Sequence, residues 1–158
     1  MADFDVDIKG ADQIVANMRT LSAELRQKPG RSALGRAAKL IRLQAADNAL
    51  GVDDPETGRR IADNIVQRWR SKYHKRTGDM MISIGVATER GRIPSGNPDT
   101  GPKGNSPHWH LLELVTEHMA PQPFLVPAAA QQGRAAVNEF ARSLEKSIAR
   151  ILKKRVRK

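Results

Sequence analysis

The chain contains no cysteine, few aromatic residues and no long hydrophobic run. Its 158 residues include three Phe, two Trp and one Tyr, and 39% of them are hydrophobic. The lack of cysteine excludes disulfides and thiolate metal sites. No segment approaches the roughly 18–20 consecutive apolar residues that a membrane-spanning helix requires, so we expect no membrane partner. The core must therefore consist mainly of Leu, Ile, Val, Ala and Met, and the length predicts a single domain, residues 1–158.

Motifs that would carry catalysis are also missing. The sequence has no glycine-rich phosphate loop, no nucleophile elbow and no His-Glu-x-x-His helix. Two groups have metal-ligand chemistry: His108, His110, Glu113, Glu117 and His118, and the acidic residues Asp53, Asp54 and Glu56. The first group has no recognised three-ligand spacing, and the second is more simply interpreted as a solvated loop. We therefore predict no metal, no cofactor and no enzymatic activity.

Positive charge is abundant, and it is concentrated in two blocks. The formal net charge is +10; residues 59–76 carry seven basic and one acidic side chain, and residues 133–158 carry nine and two. Such blocks favour a polyanionic neighbour, either DNA or an acidic protein face, although solvated basic surfaces are the plainer alternative. The candidate contacts are Arg68, Arg70, Lys72, Arg142, Lys146, Arg150 and Lys154.

The first half of the chain predicts a strand, two helices and a hairpin. Residues 1–10 predict a strand, because Phe4 to Ile8 alternate apolar and acidic residues as a half-buried strand does. Residues 11–50 have helical periodicity and predict a helical hairpin, broken at Lys28-Pro29-Gly30 and restarted with Ser32 as the cap. Residues 59–88 predict a β-hairpin, in which a strand from Ile65 to Tyr73 turns at 75–79 into a second strand from Met80 to Ala87. In that hairpin Arg68, Arg70 and Lys72 would share one strand face.

The second half predicts a long loop, a stiff connector and a helix. Residues 89–107 are rich in Gly and Pro, and we expect an extended arm that orders against a partner. Residues 108–127 predict a short element followed by a connector. The short element, at 109–115, is either a strand or a short helix. Three prolines, Pro121, Pro123 and Pro127, fall within seven residues there and stiffen the backbone. We call residues 118–130 the proline clip.

The last predicted element, residues 128–158, is a helix with one apolar and one basic face. Pro127 suits its first turn, where no backbone N–H is needed. Together these elements predict an α+β fold, in which a small antiparallel sheet packs against two N-terminal helices and one long C-terminal helix. The proline clip would present Phe124-Leu125-Val126 at a fixed place, as an anchoring device does.

Three features of the sequence resemble a known family. They are the opening strand and glycine before two helices (Val6 to Gly10), the turn Pro55-Glu56-Thr57-Gly58-Arg59-Arg60-Ile61, and Glu113 followed by Met119-Ala120-Pro121-Gln122-Pro123-Phe124-Leu125-Val126-Pro127-Ala128. The chain thereby resembles the tail-completion, or head–tail joining, proteins of long-tailed phages, the group that includes lambda protein Z. The last feature is the most specific of the three.

The resemblance implies a structural protein of the virion neck or upper tail that does no chemistry. Such proteins assemble in the host cytoplasm as rings, commonly of six copies, around the DNA channel, between head-completion (stopper) proteins and the tail terminator or tube. The residues that it points to as a subunit or partner interface are Thr57, Gly58, Glu113, Pro121, Pro123, Phe124, Leu125 and Pro127. The alternative from the residues alone is a stand-alone basic nucleic-acid-binding protein.

Overall fold

The computed structural model describes residues 23–52, 61–87, 109–114 and 120–156. In chain order the elements are the helix α1 (Ala23–Ala49), a helical turn α2 (Ile61–Asn64), the strand β1 (Ile65–Trp69), a short helix α3 (Ser71–Thr77), the strand β2 (Ile82–Val86), a short helix α4 (Trp109–Glu113) and the long helix α5 (Leu125–Val156). Helices and a two-stranded antiparallel sheet coexist, so the predicted α+β class is correct at this level. The predicted N-terminal strand, the turn at Thr57-Gly58 and the 89–107 arm lie outside the described residues.

Two long helices, α1 and α5, pack along each other and supply most of the core. Their shared face is lined by small side chains: Ala33, Ala37, Ala45 and Ala49 of α1 and Ala128 and Ala136 of α5 are buried. Small side chains let two helix backbones approach closely, which increases the van der Waals contact along the face. The predicted C-terminal helix is confirmed, and Pro127 lies in its first turn as expected.

The predicted break at Lys28-Pro29-Gly30 is wrong. α1 runs through these residues without interruption, and Pro29 and Gly30 are buried inside it. A proline inside a helix costs about 3 kcal/mol because it removes one hydrogen bond and crowds the preceding turn. Burial of the alanine face beyond Pro29 against α5 outweighs that local cost. Ser32 is accordingly not a cap but lies within the helix, where its hydroxyl accepts a hydrogen bond from Arg36 (3.4 Å).

The predicted hairpin exists, but its first strand is shorter and its connection is helical. β1 pairs antiparallel with β2, from Ile65 opposite Val86 to Trp69 opposite Ile82. The predicted strand to Tyr73 is therefore wrong after Trp69, since residues 71–77 form α3. Gly78 ends α3 in the left-handed conformation (φ 80°) and donates its N–H to the carbonyl of His74 at 2.8 Å. Arg68, Arg70 and Lys72 consequently do not share one strand face.

The sheet covers one side of the helix pair through two apolar clusters. One cluster centres on Phe124 and Ile65, with Ile84 and Val86 of β2 packed against it. The other joins Ala33 of α1 to Leu144 of α5, with Met80 beside them. The second strand, predicted from Met80, begins at Ile82; its residues Ile84 and Val86 face the first cluster, and Met80 packs against the second from the residues before the strand.

A polar network also connects α1 to α5. The buried Ser143 hydroxyl donates to Glu139 Oε1 (2.6 Å) and accepts from the Arg36 guanidinium (3.2 Å). Arg142 completes the network by pairing with the other Glu139 oxygen. The Ser143 hydrogen bond, followed by the Arg142 hydrogen bond, holds the pKa of Glu139 below its usual value. The carboxylate form of Glu139 is thus the form that the folded chain prefers.

This preference predicts a pH dependence of stability. A carboxyl with a lowered pKa in the folded state contributes stability above its unfolded pKa, and that contribution is lost as the pH falls through the folded value. We therefore expect the difference in Tm between the wild type and Glu139→Gln to be largest near neutral pH and to shrink below about pH 4.5. Thermal unfolding followed by circular dichroism from pH 7 to pH 3 measures it. Glu145→Gln, an exposed control on the same helix, should show no such trend, and a difference for Glu139→Gln that stays constant with pH would contradict the assignment.

Candidate assembly surface

The short helix α4 supports the proline clip from one side. Trp109 and Leu112 of α4 pack against the Phe124 cluster, whereas His110, Leu111 and Leu114 face solvent. The backbone N–H of Gln122 donates to the carbonyl of Leu112 at 2.8 Å, which ties the clip to α4. The strand predicted for this part of residues 108–127 is wrong, and the alternative short helix is confirmed.

Glu113, the last residue of α4, joins that helix to the start of α5. Its side chain is buried, at 8% exposure. Oε2 accepts the backbone N–H of Phe124 (2.9 Å) and of Leu125 (3.0 Å), and Oε1 accepts that of Val126 (2.8 Å). A helix N-terminus has free N–H groups and partial positive charge, and both favour an anion at this place.

The donors at this helix N-terminus are therefore accounted for by two residues. Glu113 takes the N–H groups of Leu125 and Val126, and Pro127, the next residue, has no N–H to satisfy. The buried carboxylate in turn receives three hydrogen bonds instead of water. The glutamate and the proline that the resemblance singled out thus perform one task within the same chain, which is to start α5 at a fixed residue.

Phe124 anchors the proline clip in the core of its own chain. Its side chain is 0% exposed and packs among Ala45, Ala49, Ile61 and Ala128. Its carbonyl accepts a hydrogen bond from Asn48 Nδ2 (3.2 Å). A chain of amides extends from there: Gln44 donates to Asn48 (3.0 Å) and Gln132 donates to Gln44 (2.9 Å). The side chain predicted to anchor a partner is therefore enclosed within its own chain, with none of its surface exposed.

Within the described residues of the clip, the proline portion before α5 is exposed. Residues 120–123 are exposed, whereas Leu125 and Pro127 are half-buried at the start of α5. Two leucines are also exposed, Leu111 of α4 (40%) and Leu114 directly after it (47%), and the Gln122–Leu112 hydrogen bond ties their segment to the clip. We call Leu111, Leu114, Pro121 and Pro123 the apolar rim. Thr57 and Gly58, also predicted for an interface, lie outside the described residues.

The two leucines of the apolar rim were missed at the sequence level. The signal was present: if residues 109–114 are placed on a helix, Trp109, Leu112 and Glu113 share one face, and His110, Leu111 and Leu114 share the other. Five residues are too few for that pattern to stand out from a strand. The inward placement of a glutamate among apolar residues made the helical pattern still harder to recognise.

The candidate basic contacts lie on two separate elements. Arg142, Lys146 and Arg150 are exposed and occupy one face of α5, since they are spaced four residues apart. Arg68 belongs to β1, Arg70 to the connection and Lys72 to α3, and all three are exposed. Lys154 lies in α5, and the placement of its side chain is outside the described part of the chain.

The described residues contain no group of three or more His, Asp or Glu side chains that could hold a metal ion. Of the histidines and glutamates considered above, only His110 and Glu113 lie within the described ranges, and the Glu113 carboxylate is occupied by backbone donors. None of the described helices is long and apolar enough to span a membrane.

Comparison with known proteins gives no relative. No family model matches the chain, and neither the curated proteins nor the solved structures contain a significant match.

Proposed function

We propose that the chain is a structural, non-enzymatic subunit of the neck or upper tail of a long-tailed phage. In this proposal identical copies, six in the simplest case, form a ring around the DNA channel between the head-completion (stopper) proteins and the tail terminator or tube. The proposal starts from the resemblance in the sequence. It is supported by the geometry of the residues that carry that resemblance.

The observation that carries the proposal is the three-bond contact of Glu113 with Phe124, Leu125 and Val126. It brings together the two parts of the most specific sequence feature, which are 11 to 13 residues apart in the chain. Together with the Gln122–Leu112 hydrogen bond, this contact ties the exposed Pro121–Pro123 portion to α4. A docking segment held rigid before binding loses less conformational entropy on association, which is what repeated self-assembly requires.

The apolar rim is the surface through which this rigid segment would contact the next copy. Exposed leucines and exposed prolines, on two segments joined by the Gln122–Leu112 hydrogen bond, offer apolar surface for a partner. A patch of this kind that docks onto a different surface of the next copy generates a closed ring when the rotation between copies closes. The rim therefore replaces Phe124 as the expected contact between subunits.

Native mass spectrometry of the full chain tests this proposal. We expect a defined oligomer, either of the chain alone or after addition of purified phage tails. Leu114→Glu, which introduces a charge in the rim, should shift the chain to monomers because a buried unpaired carboxylate is costly at an interface. Leu43→Glu, a change of the same kind at a leucine of similar exposure on α1 (43%), is the matched control and should still assemble.

Two outcomes would count against the proposal. A chain that remains monomeric and does not associate with tails would contradict assembly itself. Oligomers unaffected by Leu114→Glu would contradict the assignment of the rim as the contact. Circular dichroism of both variants verifies that each is folded before its oligomeric state is compared.

The alternative is a stand-alone basic nucleic-acid-binding protein. The exposed row of Arg142, Lys146 and Arg150 on α5 favours this alternative. Like charges at this spacing repel one another by about 0.2–0.5 kcal/mol per pair, and a bound polyanion would offset that repulsion. A chain that binds DNA tightly as a monomer and never associates with tails would support this alternative.

A further inference from the structure

The helix α3 forms the tip of the β-hairpin and carries a dense group of cations. Lys72, Lys75 and Arg76 are exposed and share one face of α3, since they are spaced three and four residues apart. Arg68 and Arg70, also exposed, flank the base of the tip on β1 and its connection. Between residues 68 and 76 the sequence has no acidic residue. We call these five cations the basic tip.

Within the described part of the chain, no member of the basic tip makes an ion pair; the ion pair that is present there joins Arg142 to Glu139. The interaction of cations with the negative end of a helix accounts for Lys75 and Arg76, which lie in the last turn of α3. It does not account for Lys72, Arg68 and Arg70, which lie at or before the positive end of that helix, where cations are unfavourable. An external polyanion would offset this repulsion.

The aromatic residues of the tip indicate which part of a nucleic acid it suits. The guanidinium of Arg31 lies over the Trp69 ring (4.8 Å from the centroid), and the His74 ring stands 5.4 Å from the same ring. The guanidinium of Arg76 lies 5.9 Å from the Tyr73 centroid. Trp69 thus already contacts Arg31 and His74, and Tyr73 contacts Arg76, whereas single-strand binding uses free aromatic platforms for unstacked bases. The exposed chemistry is cationic and suits the phosphates of a duplex.

We propose that the basic tip binds the sugar–phosphate backbone of double-stranded DNA, independently of base sequence. Lysine ammonium groups and arginine guanidiniums are the usual partners of phosphate oxygens, and the guanidinium of Arg68 or Arg70 can engage two of them at once. These exposed side chains lie on and next to a helix of seven residues that joins the two strands of the hairpin. This inference deepens the proposed function, since the channel of a phage neck is crossed by DNA, and it assigns that contact to α3.

Fluorescence anisotropy with a labelled duplex of about 30 base pairs tests the inference on the full chain. The affinity should fall as salt is raised, with a slope of about −0.9 in log K against log salt for each phosphate contacted. The variant Lys72→Gln/Lys75→Gln/Arg76→Gln should flatten that slope by about 2 to 3 and weaken binding by about tenfold or more at about 50 mM salt. Two duplexes of unrelated sequence should give the same result.

The matched control removes the same charge elsewhere, by Arg142→Gln/Lys146→Gln/Arg150→Gln on α5. It should leave the slope closer to that of the wild type. Equal losses in both triple variants would overturn the inference, since net charge rather than the tip would then determine binding. The single variants Lys72→Gln and Lys75→Gln, each expected to flatten the slope by about 0.9, provide the test if the triple variant does not fold.

Two further outcomes separate this inference from binding to an acidic protein and from the ring proposal. If duplex binding is unchanged in the tip variant but binding to a polyglutamate peptide is lost, the partner is an acidic protein face and the DNA inference is wrong. Native mass spectrometry of the tip variant separates the two proposals. A variant that still assembles but shows an unaltered salt slope refutes only the DNA contact, whereas a wild-type chain that binds DNA but never assembles refutes only the ring.

Discussion

Replacement of Glu113 by alanine is expected to lower the free energy of unfolding by about 3 kcal/mol, and replacement by glutamine by about half as much. The alanine variant leaves the N–H groups of Phe124, Leu125 and Val126 without their acceptor. Each buried donor left unsatisfied costs about 1–3 kcal/mol, and loss of a helix cap by itself costs about 1 kcal/mol. Glutamine keeps one carbonyl oxygen but turns an NH2 group toward donors and removes the charge that the helix N-terminus favours.

Urea unfolding followed by circular dichroism measures both losses. Glu145→Gln and Glu145→Ala, at an exposed position on α5, are the controls and should change stability by less than about 0.5 kcal/mol. A single domain is stable by about 5–15 kcal/mol, so the loss in Glu113→Ala is a large part of the total. A stability of Glu113→Ala within 0.5 kcal/mol of the wild type, on the order of the control effect, would show that the clip is held by other contacts.

Phe124→Ala is expected to destabilise the chain further, by about 3–5 kcal/mol. The side chain is 0% exposed and lies between α1, α5 and the start of β1, so its removal leaves a cavity that rigid helices cannot fill. The hydrogen bond from Asn48 to the Phe124 carbonyl would be weakened as well, because the backbone of the clip would lose its anchor.

The measurement for Phe124→Ala is again the denaturation midpoint, with the slope m compared to verify that the unfolded state is unchanged. Leu111→Ala, at an apolar side chain that is 40% exposed, is the control and should cost less than about 1 kcal/mol. A loss for Phe124→Ala as small as that of its control would mean that the side chain is not in the core. The double variant Glu113→Ala/Phe124→Ala should cost less than the sum of the two, because both hold the same segment.

The elements that the sequence predicted well are those with long or simple patterns. The apolar stripe of Phe140, Leu144 and Ile148 extends over several turns and identified α5, and the position of Pro127 indicated its first turn. The alternation that predicted the second strand fits Ile84 and Val86 of β2, which pack against the Phe124 cluster. These patterns are visible because one face of each element is apolar along its whole length.

Two of the errors arose where tertiary structure outweighed local preference. Pro29 is a strong helix breaker in isolation, but the helix continues because its alanine face is buried against α5. Residues 65–73 alternate as a strand would, yet the partner strand ends opposite Trp69, and the left-handed Gly78 allows a helix to close the tip. Both outcomes depend in part on residues far apart in the sequence, the α5 face for Pro29 and the partner strand β2 for residues 70–73.

The role of Glu113 was beyond sequence reasoning for a different reason. Its partners are backbone N–H groups, which every residue except proline carries, so no residue type at 124–126 indicates the contact. The resemblance drew attention to Glu113 and Phe124 and suggested an interface. The structure places both inside the subunit and leaves the apolar rim exposed, so contacts between copies are now expected at the rim.

The pairing of α1 with α5 has a consequence for how the subunit is made. Contacts between these helices join residues far apart in the chain, such as Asn48 and Phe124, 76 positions apart, and Arg36 and Ser143, 107 apart. A nascent chain on the ribosome exposes the alanine face of α1 long before α5 has been translated, and closing so long a loop is entropically costly and slow. The Phe124 side chain and the apolar rim reach their final positions only once α5 has docked. In the proposed ring, a copy could therefore join its neighbours only after its own α5 has docked.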